Sequence, residues 1–132
     1  MIAAQTMAHQ YQRAQVTTVD RGQLLLMMFD GAQRFLSQAE QRLPAKDVVG
    51  FVHALGRAQA VIAELLSTLD HQRGGEIARN LERLYTFMLD HLLQANLKKS
   101  VVHVTQVRRV LGIVGGAYRE ILSRGLPQLD AA

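Results

Sequence analysis

The chain has 132 residues, a size that one hydrophobic core serves, with 48% hydrophobic residues to fill it, 5% aromatic residues and no Trp. It has no Cys, which excludes disulfide frameworks, thiolate metal sites and thiol nucleophiles and fits a reducing compartment. The net charge is +4, yet the arginines are dispersed and only Lys98-Lys99 and Arg108-Arg109 stand as pairs, so a solvated surface is expected before a nucleic-acid face.

The N-terminal residues lack the basic start and apolar run of a signal peptide. The longest unbroken apolar run, Leu24 to Phe29, is too short for a bilayer, so a soluble cytoplasmic protein without membrane insertion is expected. Residues 1–19 carry sparse apolar anchors, Met7, Tyr11, Val16 and Val19, and read as an arm lying on an apolar strip of the main body.

Asp20 is a suitable N-cap with Gln23 in the capping-box position, and a helix over 21–43 follows. Its core stripe is Leu25, Phe29, Ala32, Leu36, Ala39 and Leu43, and Pro44 ends it. Asp47 caps a second helix over 48–70, striped by Phe51, Leu55, Ala58, Ile62, Leu65 and Leu69. The segment Asp70 to Gly75 reads as a turn. A third helix over 76–96 follows, striped by Ile77, Leu81, Leu84, Met88, Leu92 and Ala95. Ser100 caps a fourth over 101–123, striped by Val104, Val107, Leu111, Val114, Tyr118 and Ile121, until Gly125 and Pro127 stop it. Four helices with short connections predict an all-α, antiparallel four-helix bundle over 20–124, in one domain with an N-terminal arm and a tail at 125–132.

The helices hold more apolar residues than one bundle seam consumes. A second stripe on the first helix, Leu24, Met28, Gly31 and Phe35, lies about 100° round from the core stripe. The third helix adds Ala78, Tyr85, Leu89, Leu93 and Asn96, and the fourth adds Val110, Ile113 and Ala117. A broad core and a groove for a partner helix both account for this surplus. Met27 and Met28 lean toward the groove, because flexible thioethers repack around ligands.

Catalytic and metal signatures are missing. The five histidines, His9, His53, His71, His91 and His103, are far apart in sequence and follow no ligand spacing, so neither a metal site nor a cofactor is predicted. Gly112, Gly115 and Gly116 fall inside a helical pattern and cannot form a phosphate loop, and Gly74-Gly75 fits a turn. No Ser, His and acid set supports a hydrolase.

Several strings carry a family resemblance. Gly74 to Leu81 reads GGEIARNL, and Leu84-Tyr85, Met88 and Leu92 to Leu97 follow it; Leu24 to Ala32 reads LLLMMFDGA, and Tyr11 precedes Val16 and Thr18. Together, from about Tyr11 to about Ile121, they closely resemble the flagellin-specific export chaperones, the FliS family. Arg21 stands where that family often has Pro, and Tyr118 where it often has Trp. The resemblance implies a non-enzymatic bundle that holds the disordered C-terminal segment of flagellin in the cytosol, prevents premature polymerisation, and delivers it to the cytoplasmic domain of the flagellar type III export gate. With the second stripes, it implies that Leu24, Met28, Leu81, Tyr85, Met88 and Asn96 line or border the flagellin groove and that Tyr11 contributes from the arm. The alternative from another class is a small basic helical nucleic-acid-binding protein, which a steep salt dependence would reveal. Monomer and homodimer both stay open.

Overall fold

The computed structural model describes residues 20–125, which form four helices and no strand: α1 (Arg21–Arg42), α2 (Val48–Ser67), α3 (His71–Lys98) and α4 (Val101–Arg124). Helix α1 packs on α2 and α4, and α3 packs on the same two, so the helices close a ring in chain order. Short connections make neighbours antiparallel. This is the expected all-α antiparallel four-helix bundle; the arm, with Tyr11, falls outside the described residues.

Helix starts follow local side-chain chemistry. Asp20 Oδ1 accepts from the Gln23 N–H at 2.8 Å, Asp47 Oδ1 from Gly50 at 2.9 Å, and Ser100 Oγ from His103 at 3.3 Å. Each such cap satisfies a donor that the helix leaves unpaired and is worth about 1 kcal/mol. Helix α2 stops at Ser67, three residues early, because the Thr68 N–H donates to Glu64 and Leu65 and its hydroxyl donates to the Leu65 carbonyl at 2.7 Å. The segment read as a turn is a helical turn, capped by Asp70 and broken from the rest of α3 at Gly75, whose φ of 53° and ψ of −122° only glycine adopts readily.

One hydrophobic cluster joins all four helices. Both stripes of α1 enter it: Leu24 and Met28 are buried along with Leu25, Phe29, Ala32, Leu36 and Ala39. On this helix, then, the surplus is broad core. Phe29 is central, with its ring 5.2 Å from that of Tyr118 on α4 and 6.4 Å from that of Tyr85 on α3.

Helix α3 corrects the sequence reading. Ala78, Leu81, Tyr85, Met88, Leu92 and Ala95 are buried, whereas Ile77 and Leu84, expected inside, are exposed. Positions 77/84 and 78/85 share the same spacing of seven, so periodicity alone does not choose between them. The large Tyr85 ring fills the centre against Phe29 and turns Leu84 to the rim.

Helix α2 has the length and mean hydropathy, 1.3, of a membrane span, but Phe51, Leu55, Ala58, Ile62 and Leu65 are buried in the bundle and His53 and Arg57 occupy its outer face.

Candidate partner-binding furrows

The register between α3 and α4 is set at their shared end, where His91 Nε2 lies 2.5 Å from Gln106 Oε1 and the His91 and His103 rings are 4.6 Å apart. One helical turn back along α3 and forward along α4 brings Phe87 opposite Val110; the next brings Leu84 opposite Ile113. Ile77, Leu84 and Phe87 are 47%, 37% and 44% exposed, Ile113 is 68% exposed, and Val110 is half-buried. An apolar furrow therefore follows the α3/α4 seam. Leu93 and Leu97 of α3 and Val48, Val49 and Val52 at the start of α2 are also exposed.

The residues singled out from sequence divide four ways. Leu24, Met28 and Leu81 sit at the edge of burial, 9%, 8% and 8% exposed, while Tyr85 and Met88 are deep in the same core. Asn96 stands apart near the end of α3, half-buried, where its backbone carbonyl and Oδ1 accept from Lys99 Nζ. Tyr11 lies outside the described residues. Phe87, the largest exposed ring among the described residues, falls on none of the predicted stripes; its one sequence signal is its position three residues after Leu84.

The seam on the other flank of α4, with α1, carries a network of polar side chains. Arg108 donates to Glu40 Oε1 and to Gln33 Oε1 at 3.1 Å, Thr105 donates to Glu40 Oε2 at 2.7 Å, and Arg119 donates to Asp30 at 3.1 Å. Arg108 is thus committed to a part-buried network within the protein, which takes one member from the Arg108-Arg109 basic pair that favoured nucleic acid. Among the described residues no charged side chain is buried, the buried polar groups are the phenols of Tyr85 and Tyr118, and no three His, Asp or Glu side chains gather at metal-binding spacing. Burial, reinforced by Tyr118, pushes the Tyr85 phenol well above the usual tyrosine range, and burial also raises Tyr118, with Arg21 opposing.

The family model described as "Flagellar protein FliS" matches residues 3–125. The flagellar secretion chaperone FliS of Salmonella typhimurium is 40% identical over 100 residues, 75% of this chain and 74% of that one. The Campylobacter jejuni chaperone of the same name is 33% identical over 98 residues, covering 74% and 77%, and the Pseudomonas aeruginosa flagellar secretion chaperone FliSB is 32% identical over 111 residues, covering 77% and 84%. These relatives are named as chaperones and not as enzymes, and the chain belongs to the FliS family of flagellar secretion chaperones.

Proposed function

We propose that this chain binds the disordered C-terminal segment of flagellin in the cytosol, keeps it from polymerising, and hands it to the cytoplasmic domain of the export gate. The observation that carries this reading is the apolar furrow of α3 and α4, walled by Ile77, Leu84, Phe87 and Ile113. Exposed apolar residues in a contiguous row mark an interaction surface, whereas single ones do not. A furrow between two helices suits an amphipathic helix read at i, i+3, i+4 and i+7. A segment that folds as it binds gives up about 2–5 kcal/mol or more in ordering, and burying one Leu or Phe returns about 1.5–3 kcal/mol, so several anchors are needed.

Leu24, Met28, Leu81, Tyr85 and Met88 are then supports that hold the furrow walls from within, and Asn96 is a polar contact near one end. The N-terminal arm, through Met7, Tyr11 and Val16, covers apolar surface until flagellin displaces it. Calorimetry with a synthetic flagellin C-terminal peptide tests the reading: saturable binding with a negative heat-capacity change supports it. No heat and no shift of peptide resonances at millimolar peptide would end it.

A further inference from the structure

We propose that His91 and His103 form a binding site for one divalent transition-metal ion, of the class preferred by imidazole (Zn²⁺, Ni²⁺, Cu²⁺), which clips the end of α3 to the start of α4. The two residues are twelve apart in sequence, which is why no ligand spacing announces them, yet the α3/α4 turn brings their ring centres within 4.6 Å, with the ring planes tilted 37° to each other. A metal about 2.0–2.1 Å from an imidazole nitrogen lies about 3.2 Å from the ring centre. Two imidazoles at right angles about one ion therefore put their centres about 4.5 Å apart, and tetrahedral ones about 5.2 Å. The observed separation falls in that range.

The outer contacts match those of metal-bound histidines, which typically engage their second ring nitrogen with an oxygen. His91 Nε2 meets Gln106 Oε1 at 2.5 Å; an amide oxygen only accepts, so Nε2 carries the proton and Nδ1 keeps its lone pair. His103 Nδ1 meets Ser100 Oγ at 2.7 Å, which leaves Nε2 for an ion. Lys98 stands close enough to His103 for its charge to be felt there. Phe87 stacks on His91 with ring centres 4.9 Å apart, fixing the ring and shielding one face. Water completes the coordination sphere, and the positive charge of Lys98 moderates the affinity. The site is independent of the flagellin reading.

The test uses the whole chain after chelator treatment. Zn²⁺ and Ni²⁺, but not Mg²⁺, should raise Tm by about 5–10 °C at a hundredfold excess over Kd. His91→Gln and His103→Gln should each remove the rise, while His71→Gln, which alters the His71–Glu82 pair on the exposed start of α3, should retain it. In the unmodified protein, substoichiometric Cu²⁺ should broaden the ring-proton resonances of His91 and His103 before those of the other histidines. Absence of a Tm rise, a rise that survives both Gln variants, or broadening that begins elsewhere would each overturn the proposal.

Discussion

Gly115 of α4 faces Phe29 of α1 so closely that a Cβ at position 115 would stand 3.5 Å from both Cβ and Cγ of Phe29. That is ordinary contact distance, so one methyl fits and a larger side chain does not. Gly115→Ala should stabilise the protein by about 0.5–1 kcal/mol through helix propensity, whereas Gly115→Leu should cost about 1–3 kcal/mol by overpacking. Urea denaturation midpoints at constant m-value check both.

Gly116, with open space beside it, should also gain about 0.5–1 kcal/mol on conversion to Ala. Gly75→Ala should go the other way by about 1–3 kcal/mol, because space is available there but the backbone conformation is not. Opposite shifts of Tm in the two variants are the expected result.

On the furrow wall, Leu84→Glu and Phe87→Glu should lower affinity for the flagellin peptide by tenfold or more, with stability changed by about 0.5 kcal/mol or less. Met88→Ala, in contrast, should cost about 2–5 kcal/mol of stability because its side chain is fully buried, and Met28→Glu should be severely destabilising because it places a charge in the core. Calorimetry paired with chemical denaturation separates loss of binding from loss of fold.

The buried phenols predict alkaline sensitivity. Tyr85 and Tyr118 have folded-state pKa values raised above the ordinary 10.0, so below pH 10.0 both states are protonated and nothing is lost. As pH climbs past that value the unfolded chain releases these protons first, and stability falls. Tm measured from pH 8 to pH 11.5 should drop above about pH 10, and Tyr85→Phe should flatten the fall.

Breaking the polar seam should be costly for a surface-level contact. Arg108→Ala strips both Glu40 and Gln33 of a partner and should lose about 1–2 kcal/mol, with little rescue by salt because Glu40 is mostly covered. Guanidinium and urea unfolding should then report the same loss.

Much of the fold was legible because it is written locally. Asp20, Asp47 and Ser100 cap where short polar side chains precede apolar runs, and Pro44 lies just past a helix end. Asp70 was missed as a cap because Gly74-Gly75 after it reads as a turn, and only the φ of Gly75 reveals a break between two helical pieces. The furrow was less legible. Ile77 and Ala78 both begin seven-residue repeats, and the choice between them depends on how the Tyr85 ring meets Phe29 on another helix, a tertiary fact absent from any window of sequence. His91 and His103 were hidden for the same reason.

The unequal seams of the bundle have a mechanical consequence. Side-chain hydrogen bonds staple α1 to α4 at several levels, while the single one between α3 and α4 among the described residues is at their shared end, His91 to Gln106. Dispersion contacts without directional bonds tolerate small slides and rotations that a ladder of hydrogen bonds resists, so under mechanical load the α1/α4 edge of the ring should hold its register while the α3/α4 edge, pinned at one level, should slip first.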